Sequence, residues 1–110
     1  MLNALAKILP KLTVAVACTT LLAQTPSFAA DADQGKAIAE RWCASCHVVG
    51  KGQTGAPTDQ APPFASLAAR PGFGAERLAL LLLVPHPNMP KLSLNRFEVT
   101  DLAEYILTLK

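Results

Sequence analysis

The sequence contains few aromatic and few charged residues, and it has no strand-like pattern. Aromatic side chains make up 5% of its 110 residues and charged side chains 16%. No segment alternates apolar and polar residues as a half-buried strand does, and no segment repeats elsewhere in the chain. These absences exclude a sheet-based fold and a repeat architecture, so the sequence predicts an all-α fold.

Residues 1–29 have the features of an export signal peptide. Lys7 and Lys11 supply positive charge, an apolar run follows, and a small-x-small tripeptide closes the segment. The apolar run is shorter than the roughly 20 residues that a transmembrane helix needs. We therefore expect cleavage after Ala29 or Ala30 and delivery of the remaining chain to the periplasm.

Cleavage would leave one domain at residues 30–110. Two alternatives would instead tether this domain to a membrane: retention of the leader as an anchor, or lipidation of Cys18. Two of the ten basic residues lie in the leader, so eight basic and eight acidic residues remain in the domain. This near-neutral charge excludes nucleic acid as a partner and predicts at most transient contact with a membrane surface.

The motif Cys43-Ala44-Ser45-Cys46-His47 carries the most specific chemistry in the chain. It has the C-x-x-C-H spacing of covalent haem attachment. Two thiols three residues apart lie on one side of a helical turn, so both can add to the vinyl groups of one porphyrin. The imidazole that follows is then placed to bind the iron.

Two other interpretations of these residues stay open. Cys43 and Cys46 would form a redox-active disulfide if they belonged to a thioredoxin-like frame, but no strands flank them. A zinc site could recruit Cys43, Cys46, His47 and His86, although adjacent Cys46 and His47 fit poorly into one tetrahedron.

Met89 is the candidate for the sixth iron position. It is the only methionine outside the leader, and prolines precede and follow it closely. Proline restricts φ and so reduces the entropy that a loop loses when it binds a metal. His86 is a rival ligand, and Lys91 is a candidate replacement ligand at high pH.

Caps and helix breakers predict the helices. The last helix begins after Asn95, with Glu98 completing a capping box. The loop at residues 48–63 has no periodicity. The earlier helices are expected from Asp31 or Asp33 to about Cys46, from Phe64 to Arg70, and from Ala75 to Val84. A domain this small needs its cofactor as part of the core, so we expect the chain without haem to be largely unfolded.

Three segments resemble the class I, mitochondrial-type bacterial cytochromes c. They are the haem motif at 43–47, Asn-Met-Pro at 88–90 and Asp-Leu-Ala-Glu-Tyr-Ile at 101–106, and the resemblance covers roughly residues 33–109. It implies three to five helices wrapped around one covalently bound haem c.

The resemblance also implies roles for individual residues. Cys43 and Cys46 would form thioether bonds, and His47 and Met89 would be the axial iron ligands. The carbonyl of Pro62 would accept a hydrogen bond from the proximal imidazole and tune the iron through it.

A close crossing of the first and last helices is a further implication. Gly35 would lie at the crossing, against Leu102 and Tyr105. Ala39 stands where the family has an aromatic residue, which predicts a looser crossing unless Trp42 compensates.

With both axial positions filled by protein, the expected function is one-electron transfer rather than catalysis. The expected partners are periplasmic redox proteins: a dehydrogenase, a reductase or an oxidase. Two alternatives stay open. One is a dedicated cytochrome subunit of a periplasmic dehydrogenase, and the other is a haem enzyme or a gas or redox sensor in which Met89 leaves the iron.

The third predicted helix ends in an apolar run, formed by Leu80, Leu81, Leu82, Leu83 and Val84. A helix that is apolar on every face is normally buried on every face. In so small a domain, one side of this run is expected to dock a redox partner or a second copy of the chain. Alternatively, the loop at 48–63 folds over it.

Overall fold

Four helices and their connecting loops make up the fold. The computed structural model describes residues 28–54, 60–84 and 87–110. The helices are α1 (Ala32–Trp42), α2 (Phe64–Ala68), α3 (Ala75–Leu83) and α4 (Arg96–Leu107). No strand occurs in these described residues, so the all-α prediction is confirmed.

The predicted signal peptide lies outside the described residues except for its last two positions, and Cys18 and His86 lie outside them as well. Across the described ranges, no helix is both long enough and apolar enough to cross a membrane.

Helix α1 ends at Trp42, four residues before the predicted end at Cys46. The N–H groups of Cys43 and Ala44 both donate to the carbonyl of Ala39, at 2.9 and 3.0 Å, which breaks the regular i to i−4 ladder. A separate turn follows, in which the N–H groups of Cys46 and His47 both donate to the carbonyl of Cys43. The haem motif therefore occupies a turn of its own beyond the helix.

The helix starts follow the predicted caps. The Asp31 carboxylate accepts from the N–H groups of Asp33 and Gln34, at 2.9 and 3.1 Å. At the start of α4, the Asn95 side chain accepts from the N–H of Glu98, and the Glu98 carboxylate accepts from the N–H of Asn95 at 2.8 Å. The predicted capping box is thereby confirmed.

Two helix ends fall earlier than predicted. Helix α2 ends at Ala68 rather than Arg70, because the N–H of Arg70 donates to the carbonyl of Leu67 in a tighter turn. Helix α3 ends at Leu83 rather than Val84, which has φ −120° and ψ 73°. The helical region is sterically disfavoured for the residue before a proline, and Val84 precedes Pro85.

Helices α1 and α4 cross closely at Gly35. A Cβ atom at this position would overlap the carbonyl oxygen of Asp101 and would lie 2.8 Å from Cβ of Tyr105. Ala39 is fully buried, whereas Trp42 is half exposed. The crossing is thus close at Gly35, and Ala39, one turn further along α1, is buried. A packing looser than the family's stays a prediction.

The hydrophobic core extends from this crossing to α2 and α3. Leu102 and Ile106 of α4 are its largest fully buried side chains. The other buried members are Ala39, Cys43, Val49, Phe64, Leu67, Ala68, Phe73, Leu78, Val99, Ala103 and Tyr105. Helix α4 thus lies at the centre of the core, and Cys43 is the residue of the haem motif that is buried in it.

Candidate haem-binding site

One cleft brings together the predicted ligands from two distant parts of the chain. The turn after α1 forms one side of the cleft, and the loop between α3 and α4 forms the other. The lining residues are Trp42, Cys43, Ser45, Cys46 and His47 on the first side, and Asn88, Met89, Pro90 and Leu92 on the second. Both thiols are free rather than joined in a disulfide.

His47 is buried, and its ring is held by a backbone carbonyl. Its Nδ1 lies 2.7 Å from the carbonyl oxygen of Pro62. A carbonyl only accepts hydrogen bonds, so this contact assigns the proton of the neutral imidazole to Nδ1 and the lone pair to Nε2. The ring of Phe64 packs beside the imidazole, with centroids 5.4 Å apart.

The backbone after His47 is held by two side chains: Gln53, which the sequence did not single out, and Tyr105, which it singled out only for the helix crossing. Gln53 Nε2 donates to the carbonyl of His47 at 3.1 Å, and Gln53 Oε1 accepts from the N–H of Val49 at 3.0 Å. The hydroxyl of Tyr105 donates to the carbonyl of Val49 at 2.7 Å. Gln53 lies in a loop without periodicity, so no sequence signal pointed to it.

The two cysteines differ in environment. Cys43 belongs to the core, and burial raises the pKa of its thiol from 9.0 to about 11. Cys46 is half-buried, and its sulfur lies 3.8 Å from the hydroxyl of Ser45.

Met89 lies in a loop shaped by restricted backbone angles. Asn88 adopts a left-handed conformation with φ 72°, which asparagine tolerates better than most residues. Pro87 and Pro90 bracket this pair and limit φ on both sides. The Met89 side chain is half-buried and lines the cleft.

The residues of the cleft fit a haem better than a bare metal ion. They offer two thiols, an imidazole whose lone pair is on Nε2 and a thioether, with apolar residues around them. Within the part of the chain that the structure describes, no three His, Cys, Asp or Glu side chains could together hold a metal ion. The zinc interpretation therefore has no support, and its fourth candidate ligand, His86, is outside the described residues.

Most of the apolar run on α3 is exposed. The exposed fraction is 62% for Leu80, 75% for Leu83 and 80% for Val84. Leu82 is half-buried and lines a groove of about 380 Å³ between α3 and α4, together with Leu92. The polypeptide itself thus leaves most of this apolar run uncovered.

A helical domain with a C-x-x-C-H turn and an opposed methionine defines a class, the covalent haem proteins. Residues 32–110 match the sequence model of the family described as "Cytochrome c". The chain belongs to the cytochrome c family.

A curated relative supports the same assignment. The chain is 54% identical over 84 residues to "Cytochrome c-552" of Bradyrhizobium diazoefficiens, an alignment that covers 76% of this chain and 80% of the relative. No solved structure matches the chain significantly.

Family membership establishes the cofactor and the function. The protein carries covalently bound haem c with its iron, and it transfers electrons through that haem rather than catalysing a reaction. Its partners are protein redox partners. Neither the structure nor the comparisons support a haem enzyme or a sensor.

Proposed function

We propose that the haem is attached through Cys43 and Cys46 and that its iron is bound by His47 and Met89. The observation that carries this proposal is the shared cleft, which all four side chains line. When bound, the haem supplies an iron that changes reversibly by one electron. His47 and Met89 would hold this iron and keep substrate away from it, and the apolar surroundings would favour the less charged reduced state.

Pro62 is proposed to orient the proximal ligand. Its carbonyl accepts from Nδ1 of His47 at 2.7 Å, which limits rotation of the imidazole and makes Nε2 a better electron donor. Phe64, two residues further on, packs against the same ring. The carbonyl of Pro62 and the first residue of α2 thus both contact the His47 ring.

The ligand assignment is tested with the holoprotein from a host competent in haem attachment. The mass of the product must exceed that of the polypeptide by one haem, and a bare polypeptide mass would contradict attachment at the cysteines. The ferric protein must have the near-infrared charge-transfer band of methionine–iron ligation. We expect Met89→Leu to remove this band and Leu92→Ala, a change in the same cleft without a ligand, to keep it. An unchanged band in Met89→Leu would exclude Met89 as the ligand.

We also propose that the leader is removed after Ala29 or Ala30 and that the domain works in the periplasm. Bacterial c-type cytochromes are typically exported. Asp31, which caps α1, also donates its own N–H to the carboxylate of Asp101 at 2.8 Å. Asp31 therefore makes a tertiary contact just after the predicted cut, and Phe28, just before it, has its ring centroid 5.7 Å from that of Phe97. The mass of the protein recovered from the periplasm gives the cleavage position, and a product that retains residues 1–29 would contradict the proposal.

The apolar run at the end of α3 is the proposed docking surface for a redox partner. It consists of Leu80, Leu81, Leu82 and Leu83, together with Val84 just after the helix, and most of these side chains are exposed. Exposed apolar surface of this kind usually marks an interface. The candidate occupants are a dehydrogenase that holds this cytochrome as a subunit, a reductase, an oxidase and a second copy of the chain.

A charge introduced on this side tests the surface. We expect Leu83→Lys to slow electron transfer with the cognate partner about tenfold, because a buried unpaired charge weakens an apolar interface. Ala37→Lys adds the same charge at an exposed position of α1 and is expected to leave the rate unchanged. Equal rates for both variants, with a strictly monomeric protein by light scattering, would rule out docking through α3.

A further inference from the structure

We propose that Gln53 is a positioning residue for the proximal imidazole. Its side-chain amide closes the turn after His47 and so fixes the backbone from which the ring extends. This inference rests on the proposed ligation by His47 and adds a residue that the haem motif does not contain.

The first argument is the geometry of the amide. One planar group bridges the carbonyl of His47 and the N–H of Val49, at 3.1 and 3.0 Å. The carbonyl of His47 belongs to the peptide unit before Val48, and the N–H of Val49 belongs to the unit after it. The bridge therefore restrains both peptide units. Reversing the amide would set its NH₂ group against the N–H of Val49, so only one orientation satisfies both partners.

The second argument is what the bridge connects. The N–H of Phe64 donates to the carbonyl of Val48 at 2.9 Å, which ties the segment that contains Pro62 to the segment that contains His47. The imidazole reaches its carbonyl acceptor only if these two segments keep their relative position. Gln53 holds the His47 segment through the loop that follows it.

The third argument concerns the far end of the turn. The hydroxyl of Tyr105 donates to the carbonyl of Val49 at 2.7 Å, and Tyr105 itself is buried in α4. The carbonyl of every residue from 47 to 49 thus has a hydrogen-bond donor. Ordering a long glutamine side chain costs rotamer entropy, and here the two bonds that offset this cost both lie within two residues of the ligand.

The test uses the holoprotein and the exchange of the His47 Nδ1 proton with solvent, followed by NMR. We expect Gln53→Ala to accelerate this exchange about tenfold relative to the wild type, the equivalent of about 1.4 kcal/mol, because the ring leaves the Pro62 carbonyl more often. Gln34→Ala, which removes an exposed glutamine from α1, is the matched control and should leave the exchange unchanged.

Gln53→Glu provides a conservative variant with a distinctive pH dependence. At neutral pH its carboxylate still accepts from Val49 but has no proton to donate to the carbonyl of His47. Below the ordinary carboxyl pKa of about 4.3, the protonated acid can donate again. Protection relative to the wild type at the same pH should therefore return in Gln53→Glu and not in Gln53→Ala.

Three results separate the possibilities. Selective acceleration at the ring, with return in acid for the glutamate variant, supports the proposal. Unchanged exchange in Gln53→Ala overturns it, and so does an equal acceleration of the α1 and α4 amides, which would mean a general structural role. A wild-type chain without covalent haem would instead refute the proposed function, whereas intact haem with unchanged exchange refutes only this inference.

Discussion

The two sides of the haem cleft are held in different ways. On the proximal side, the turn at 47–49 receives hydrogen bonds from Gln53, Phe64 and Tyr105, and the His47 ring bonds to Pro62. On the distal side, no hydrogen bond joins residues 88–94 to another described residue. There, the left-handed Asn88 and the neighbouring prolines restrict the backbone instead.

Because of this difference, we expect the proximal side to determine the stability of the fold and the distal side to determine ligation by Met89. The proximal turn is bonded to α4, and α4 packs closely on α1, so a change on this side is expected to weaken the whole fold. The distal loop is restricted locally, so a change there is expected to alter Met89 before it alters the helices. The following predictions test this separation, from the largest expected effect to the smallest.

Removal of haem is expected to abolish cooperative folding. A domain of about 80 residues buries too little apolar surface to be stable without the haem, which would connect the two sides of the cleft. The variant with both Cys43→Ala and Cys46→Ala should lose most helical circular dichroism and show no cooperative melt. A sharp melt with native helix content would mean that the proximal side folds alone.

Gly35→Ala is expected to destabilise the holoprotein by about 3 kcal/mol or more. The added Cβ would overlap the backbone carbonyl of Asp101, and backbone atoms cannot move aside as a flexible side chain does. Urea unfolding measures the change. Gly74→Ala is the control, because a Cβ there meets no atom within 4 Å. Similar unfolding free energies for the two variants would contradict a close crossing.

Asn88→Val is expected to weaken ligation by Met89 without unfolding the helices. A β-branched residue resists φ 72° at a cost of about 1–2 kcal/mol, so the strained loop should release the methionine more readily. A weaker near-infrared band, together with unchanged far-ultraviolet circular dichroism, is the expected result. Asn88→Gly adopts the same angle without strain and should keep the band. Equal bands in the two variants would show that the left-handed angle does not matter.

Tyr105→Phe is expected to change the dependence of stability on alkaline pH. Burial, and secondarily the negative charge of Glu40, raise the pKa of the Tyr105 hydroxyl. The folded state therefore favours the neutral phenol. The associated stability is complete below the ordinary tyrosine pKa of about 10 and is lost as pH rises toward the higher folded value.

Urea unfolding between pH 8 and pH 11 should thus show a steeper loss in the wild type than in Tyr105→Phe. The phenylalanine variant should also be less stable at neutral pH by about 1 kcal/mol, because it loses the bond to Val49. Parallel pH profiles would contradict the assignment to Tyr105. The Met89 band, recorded in the same samples, separates this effect from a replacement of the distal ligand by Lys91.

Local signals account for what was predicted well. The Asn95 capping box depends on residue types within a few positions. The close approach at Gly35 was instead predicted from family resemblance. The end of α1 was predicted four residues too late, because a helical spacing of cysteines does not distinguish a continuing helix from a separate turn. The ladder changes at Ala39, whose carbonyl accepts two N–H groups.

The sequence alone determined the chemistry of this cytochrome, because two thiols and an imidazole within five residues can be read without knowing the fold. Family resemblance pointed to Pro62 as the partner of that imidazole, but only the tertiary structure showed that Gln53 and Tyr105 hold the backbone from which the ring extends. His47 and Pro62 are 15 residues apart, and Val49 and Tyr105 are 56 apart. Contacts of such separation depend on how α1, α2 and α4 pack, and a glutamine such as Gln53 has no spacing or composition that marks it as their partner.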